Sequence, residues 1–543
     1  MTAVAATGTE VRRPRADVSG MAAMLRLQLR TGWKVYLAWV LGVVAGYVVT
    51  LIAIDRTYGT PELLATYGAT VGDDAAIAAI NGTPYGADNL GGVVANEFAF
   101  IAAAAFPLMA THLVVRFTRT PEESGLLELM RSRAVASWAP HVAAVVGALV
   151  AFALTAVGMF IALLALGVAA DRGLLYVISL FLLGAVWTGI ALCGAQWQRR
   201  ARRVYSVSMV LLGLAYITRA IGDVGDNAWK WLSPLAWQQE TRPFADDPRW
   251  WPVLLAAAVA ATLVAVGVRA AATRDLGSGL LATRPGPARA AERTRSVTRR
   301  VIGEHRGSVI GWSVGGFAVA VVFGGLAQEV ADAIAANPQL SAAFGGNDSF
   351  GIDTYLALTM AILALMAGGY VISAAGRMRA DEQTGLLEVV LAQSVSRGRW
   401  MGTHLTVVAS GLILVLLVPS LGLGVVAAIQ LDDAGEIGDN LLAGIAYLPA
   451  VAVFGALTAA LFGWRPRAQP IVWALLGYAT FIAFLGGSLD WPDWILRASP
   501  LYSVGAVPAA DASIPGVVTL AVLAAVLVAG GLVGFRRRDV PHP

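Results

Sequence analysis

Long apolar runs interrupted by short polar stretches set the pattern of this chain from residue 35 almost to its end. Runs of about 20 residues, the length a helix needs to cross a bilayer, fall at 35–54, 93–115, 140–169, 173–195, 204–222 and 251–270. A second series falls at 309–328, 354–375, 402–430, 441–463, 469–488 and 514–535. The pattern predicts an all-α polytopic membrane protein with twelve transmembrane helices in two sets of six. Ahead of the first run, Met21, Met24, Leu25 and Leu29 alternate with Arg26 and Arg30 at helical spacing. That spacing predicts an amphipathic helix over 20–34 lying on the membrane face. The implied divisions are a tail at 1–20, a first half at 21–270, a linker at 271–305 and a second half at 306–543. The linker is expected to end in another surface helix before Trp312. Segments 56–92 and 329–353 suit short outer caps, and 223–252 carries Trp229, Trp231, Trp237, Trp250 and Trp251, an interfacial aromatic belt.

The two halves also share local sequence. RTPEESGLLELMRSRAV, from Arg119 to Val135, returns 260 residues later as RADEQTGLLEVVLAQSV, from Arg379 to Val395. Each copy mixes polar and apolar residues after the second run of its half, and so reads as a helical elbow between two spans. Ser233-Pro234-Leu235 is matched by Ser499-Pro500-Leu501, and Arg274-Asp275, just past the sixth run, by Arg538-Asp539 just past the twelfth. Six spans per half is an even number, so the halves would run parallel, related by an axis along the membrane normal.

Charge orients this arrangement. With the N-terminus inside, 32 of the 39 basic residues fall on one side, and most acids, including Asp73, Asp74, Asp432, Asp433, Glu436 and Asp439, on the other. The positive-inside rule then places both termini and both elbows in the cytoplasm. Composition agrees with a membrane protein: 57% of residues are hydrophobic, 14% are charged and the mean hydropathy is +0.68, against about 25% charged in soluble proteins. The single cysteine, Cys193, excludes an internal disulfide framework. No cleavable signal sequence is expected from the polar, Arg-containing N-terminus. Only Lys34 and Lys230 among the basic residues are lysines, a bias that suits a GC-rich bacterial genome and a bacterial plasma membrane.

In the first elbow, Thr120 is expected to cap a helix, with Pro121 at its first position and Glu123 closing a capping box. Gly125 would interrupt that helix, Ser124 would cap a new turn, and Thr384 and Gly385 repeat the arrangement. Beyond the glycine, Leu126, Leu129 and Met130 face one way, and Glu128 and Arg131 another. An interfacial helix on lipid headgroups would explain one such elbow; recurrence in both halves favours a docking site for two copies of a soluble partner. The expected docking residues are Glu122, Glu123, Gly125, Leu126, Leu127 and Glu128 in the first elbow, and Glu382, Gly385, Leu386, Leu387 and Glu388 in the second. Exposed Glu122 and Glu382 would each pair with a basic group on the partner. Phe100, Phe106, Met109, Tyr355, Met360 and Met366, on the spans leading into the elbows, are candidates to line an apolar substrate cavity. Glu97 reads as an interfacial acid, with ion coupling the less favoured alternative. His141 and His404 lack a second ligand at helical spacing and read as packing residues rather than metal ligands. Gly42-x-x-x-Gly46 and Gly311-x-x-x-Gly315 suit close helix contacts.

The pattern E-x-[ST]-G-L-L-E after the second span of each half resembles the coupling elbow of ABC exporter permeases of the second type. With the Ser-Pro-Leu loops, TRPF at Thr241–Phe244 and RDLGSGLL at Arg274–Leu281, residues 21–540 resemble the fused, twelve-span, tetronasin-like permeases of actinobacterial antibiotic and polyketide exporters. The second half departs from the pattern at Gln383, where the first has Glu123, and in RRDV without a following GLL. The resemblance implies two copies of a partner P-loop ABC ATPase, which would bind ATP and Mg, outward transport of a hydrophobic small molecule, and contact with membrane lipid but no nucleic acid. This chain would bind no cofactor and perform no bond chemistry: both lysines follow tryptophan, so no Walker A loop exists. The rival reading is a proton- or sodium-coupled secondary transporter, which also fits twelve spans in two parallel halves but wants midplane carboxylates that the spans scarcely offer. A membrane glycosyl- or acyltransferase would want clusters of acids and histidines that are not found.

Overall fold

Inside a bilayer every backbone amide must find its partner within the protein, and a helix achieves this locally. In the computed structural model, which describes residues 18–72, 75–131, 135–280, 296–328, 330–331, 348–485 and 492–539, helices supply all the regular structure. The chain divides into two compact units, 1–285 and 286–543.

The first unit contains α1 (Val18–Tyr58), α2 (Leu90–Phe117), the two short elbow helices α3 (Arg119–Glu123) and α4 (Leu126–Arg131), then α5 (Ala139–Ala165), α6 (Ala170–Trp197), α7 (Ala201–Val224) and α8 (Trp251–Thr273). The second contains α9 (Val297–Gly325), α10 (Asp348–Gln383), the elbow helix α11 (Leu386–Leu391), α12 (Arg397–Leu431), α13 (Gly435–Trp464), α14 (Ile471–Leu485) and α15 (Ile514–Arg537). Among the described residues, eleven helices are long and apolar enough to cross a membrane. The expected span at 469–488 corresponds to α14, which has 15 residues. At 1.5 Å per residue it reaches about 22 Å, short of a hydrocarbon core of about 30 Å. Residues 486–491 of that region lie outside the described residues.

Neither expected surface helix is a separate element. The amphipathic stretch 20–34 runs without a break into the first span, giving α1 41 residues, or about 60 Å. Thr31 and Gly32 stand at the junction, but the Thr31 hydroxyl donates back to the Leu27 carbonyl at 2.8 Å and the helix passes through both, so a change of amphipathicity is not a stop. Similarly, α9 begins at Val297 and continues through Trp312 as one helix. Linker residues 281–295, tail residues 1–17 and outer residues 332–347 lie outside the described residues.

Burial shows which helices are central. The apolar windows of α2 and α6 are 67% and 78% buried, against at most 33% in α1, α5, α7 and α8. In the second unit α10 is the most enclosed, at 72%. Glycine lets neighbours approach, though not where the G-x-x-x-G patterns suggested. Gly42, Gly46 and Gly311 have open space around the Cβ position, and Gly315 meets only the Met366 methyl. The close contacts lie elsewhere: a Cβ on Gly189 would sit 2.5 Å from that of Leu263, and one on Gly267 would press on Leu192. The α6–α8 pair therefore interlocks through two glycines. The matching α13–α15 pair brings Gly463 and Gly531 backbone to backbone.

At the end of the first unit away from the elbow, short helices at Pro61–Val71 and Ala75–Asn81 join residues 223–252 in a cap. At its centre is Glu240, buried and paired with Lys230 at 2.9 Å, Arg242 at 3.1 Å and Arg249 at 3.3 Å, while the Tyr85 hydroxyl donates to it at 2.8 Å. Burial raises its carboxyl, but Lys230, Tyr85 and Arg242 outweigh that and hold it below the usual carboxylate range. The TRPF stretch is part of this cap: the Arg242 guanidinium stacks on Tyr85, and the Phe244 carbonyl accepts from Asn89. Ser233 caps Pro234–Gln239, with Leu235 buried beyond it, and Ser499 and Leu501 are likewise buried.

Two adjacent glycines test the helix contact. Gly531→Val would force a methyl against the Ala459 carbonyl and Ala460, and is expected to cost about 1–3 kcal/mol, the range for overpacking. Gly530→Val, in open space on the same helix, is expected to leave thermal unfolding in detergent unchanged. Equal melting temperatures for the two variants would contradict the contact.

Candidate functional site

Each elbow sits where an enclosed helix ends, α2 in the first unit and α10 in the second. In the first, α2 stops at Phe117 and α3 follows after Thr118, whose hydroxyl donates back to Val114 at 2.6 Å. Glu122 and Arg119 lie one turn apart on α3 and face inward, with relative exposures of 7% and 1%. The Glu122 carboxylate receives two parallel bonds from Arg274, each 2.8 Å, one from Arg119 at 2.8 Å and one from the Gly277 amide at 2.8 Å. Arg119 also donates to the carbonyls of Arg199 at 2.9 Å and Ser278 at 3.1 Å, and Arg274 Nε to Gln196 at 3.1 Å. Ser278 O is a further acceptor for Arg274. One carboxylate thus joins the elbow, the end of α6 and the segment after α8.

The second elbow repeats the pair. Arg538, just after α15, donates two bonds of 2.8 Å to Glu382. Its surroundings differ, because the Arg538 guanidinium lies 5.3 Å over Phe462 and 5.9 Å from Phe535, and its Nε has no hydrogen-bond partner. Below it Leu387 packs with Met378, Trp400, Met401, Phe462 and Phe535.

These pairs correct one expectation. Glu122 is a buried anchor and Glu382 is largely covered, so neither presents its carboxylate to a partner protein. The capping box is not formed either: Thr118 occupies the cap position of α3, and Glu123 instead accepts from the Ala201 amide at 2.8 Å, at the start of α7. Ser124 and Thr384 donate backward, to Pro121 and to Ala380, rather than capping the next turn. Gly125 and Gly385 do break their helices, with φ of +73° and +72°. A Cβ on Gly125 would meet nothing within 4 Å, so the glycine is needed for its left-handed backbone and not for space.

Past the glycine the two elbows agree in what they bury. Leu127 and Leu387 point inward, while Leu129 and Val389 are 70% and 62% exposed. Leu126, Glu123 and Glu128 are also exposed, and Leu386 and Glu388 are half-buried. Residues 132–134 lie outside the described residues.

The expected cavity residues have different surroundings within their own units. Phe106 and Met109 are buried in the core of the first unit, Phe106 stacked on Phe152, and Met360 is buried in the core of the second beside Ser420. Tyr355 is tied by its hydroxyl to the Phe323 carbonyl at 2.7 Å, and Met366 is half-buried. Phe100 is exposed and meets Tyr216 edge-on. Glu97 accepts from the Tyr67 hydroxyl at 2.5 Å and is held by the cap. His141 is buried with Nδ1 3.2 Å from the Ser137 carbonyl, and His404 packs tilted against Trp400, ring centres 4.6 Å apart. Among the described residues no group of His, Cys, Asp and Glu is arranged to hold a metal.

The chain is 31% identical over 531 residues, 96% of its length, to the multidrug efflux system permease protein Rv1217c of Mycobacterium tuberculosis, and the match spans 95% of that protein. The chain belongs to this permease family. Residues 301–536 of the permease also match the family model described as the C-terminal domain of multidrug efflux system permease Rv1217c. That region contains the second elbow, its glycine Gly385 and most of its supporting helices, and ends two residues before Arg538.

Removing one partner of a buried ion pair strands the other charge, at a cost of about 3–5 kcal/mol. Glu122→Ala and Arg274→Ala are each expected to lower the melting temperature of the detergent-solubilised permease clearly. Their double variant should lose less than the sum of the two. Glu382→Ala should cost less than Glu122→Ala, because its pair is more exposed. Thermal melts of the four variants check this, and unchanged melting in both first-unit singles would contradict it.

Proposed function

We propose that this permease is the membrane subunit of an ATP-driven exporter that moves hydrophobic or amphipathic compounds, of the antibiotic, drug or lipid-like class, out of the cell. The observation that carries this reading is the duplicated elbow, each copy anchored to the segment after its unit's last helix by a doubly bonded Arg–Glu pair. Membership of a multidrug efflux permease family supports it. Two copies of a P-loop ATPase would dock on the two elbows, bind ATP and Mg, and push on both when they close. The chain contributes twelve spans as two parallel six-helix repeats, with both termini and both elbows in the cytoplasm. Exposed Leu126, Leu129 and Glu128, with Val389 in the second elbow, offer the contact surface. The anchors behind them transmit the push, because a displaced elbow pulls on Arg274 or Arg538. Tetronasin-like polyketides are the substrate class that the sequence likeness favours.

A proton- or sodium-coupled mechanism is not favoured. Among the described residues, ionisable groups lie near the ends of the apolar segments, as Arg116, Arg219, Arg377 and Glu436 do, leaving the middles without a carboxylate to carry the ion.

Surface substitutions away from buried groups usually change stability by less than about 0.5 kcal/mol. Leu129→Glu and Val389→Glu should therefore fold and insert normally, yet lose most of the co-purifying ATPase and of ATP-dependent export from reconstituted vesicles. The parent complex should weigh as one permease with two ATPase chains. Export that persists in both variants, or that an ion uncoupler abolishes while ATP remains, would overturn this reading.

A further inference from the structure

Beside the first elbow lies an open cavity of about 770 Å³, lined by Arg119, Arg199, Arg200, Arg203, Glu122, Glu123 and Gly277. Its charges are not balanced. Glu122 is already satisfied by Arg274 and Arg119, and Glu123 is turned to the Ala201 amide. Arg199 Nε donates to the Gly277 carbonyl at 3.0 Å. Arg200 and Arg203 are exposed and form no ion pair among the described residues. Both stand at the start of α7, whose first amide is already taken by Glu123, so the arginines themselves supply the free positive charge. An anion is therefore the ligand that the pocket suits.

The wall beside the pocket says which anion. Counting from Arg203 along α7, Val210, Leu214, Ile217 and Ile221 follow at spacings of seven, four, three and four, one face of a helix. Each of these four is more than half exposed. Trp197, at the adjoining end of α6, is 48% exposed, as suits a membrane-interface tryptophan. The two cations thus head a helix face whose apolar stripe, Val210 to Ile221, is about 17 Å long, the length of one leaflet's acyl chain. A protein surface would use the cations and waste the stripe; a phospholipid uses both.

We infer that this pocket binds the phosphate of an anionic phospholipid from the leaflet on the elbow side, with an acyl chain along the α7 stripe. The shared chemistry is a phosphate anion, and basic pockets between membrane helices take such headgroups. The hollow beside the second elbow differs in its charges. It is lined by Arg379, Gln383, Gln469 and Trp473 among others, with a single arginine. Lipid bound in the α7 pocket would bear on one elbow only. The site does not depend on ATP coupling or on which side of the membrane the elbows face.

The test is native mass spectrometry of the full-length, detergent-purified chain titrated with dioleoylphosphatidylglycerol, with dioleoylphosphatidylcholine and with sodium phosphate. Phosphatidylglycerol should bind selectively, and sodium phosphate should not displace it. R200Q/R203Q should weaken that binding on the order of tenfold or more, R200K/R203K should retain it, and R465Q/R467Q, on the other unit, should leave it unchanged. Equal binding of the neutral lipid, or an unchanged R200Q/R203Q, would overturn the proposal. Full displacement by phosphate would assign the pocket to a soluble anion instead. If R200Q/R203Q lost a co-purifying protein but kept the lipid, the arginines would serve a protein contact and the proposal would fall.

Discussion

Glu122 can be ionised beneath the surface of the helix bundle only because Arg274 is there to meet it, and that requirement fixes the elbow. An isolated buried carboxylate costs several kcal/mol after relaxation. Two charge-assisted bonds from a planar guanidinium offset that cost and set a direction as well as a distance. Because the pair is closed on both oxygens, with Gly277 and Arg119 adding one bond each, the elbow has one seat. The apolar contact of Leu127, the left-handed turn at Gly125 and the capping of α7 by Glu123 all follow from where Glu122 is held.

The second unit keeps this device and changes its surroundings. Arg274 is held from behind by Gln196, whereas Arg538 rests on the faces of Phe462 and Phe535. Arg119 is buried and bonded to Glu122, whereas its counterpart Arg379 lines an open hollow. Gln383 stands where Glu123 caps the start of α7. The first elbow is accordingly wired into three neighbouring segments by hydrogen bonds, and the second is seated mainly on aromatic packing. Two seats of unequal character under one chain are a physical basis for unequal response to the push proposed for a docked ATPase.

Much of this was legible in the sequence. The apolar runs locate the membrane helices, and the repeat locates both elbows and the glycines that break them. Arg274-Asp275 and Arg538-Asp539 stand out as matched landmarks, but nothing local says that their guanidiniums reach back 152 and 156 residues. Ion pairs between distant segments have no period. The same blindness made Glu123 look like a capping-box residue, when its oxygen goes to the amide of Ala201. Phe106, Met109 and Met360 are buried within their units, as adaptable side chains serve a core as readily as a ligand site. The α1 helix was split too early because an amphipathic stretch and an apolar one can share an axis. The arginines at the start of α7 were visible as charge, but their stripe of exposed residues emerges only once burial is known.

The most direct test of the anchored elbow is hydrogen–deuterium exchange of the intact protein and of Arg274→Met, compared peptide by peptide in the same detergent. The methionine keeps volume and removes the guanidinium. Exchange over 119–131 and 274–280 should rise together, because each segment holds the other, while α5 stays protected. Unchanged protection of the elbow, or a rise confined to 274–280, would show that something other than the Glu122–Arg274 pair holds it in place.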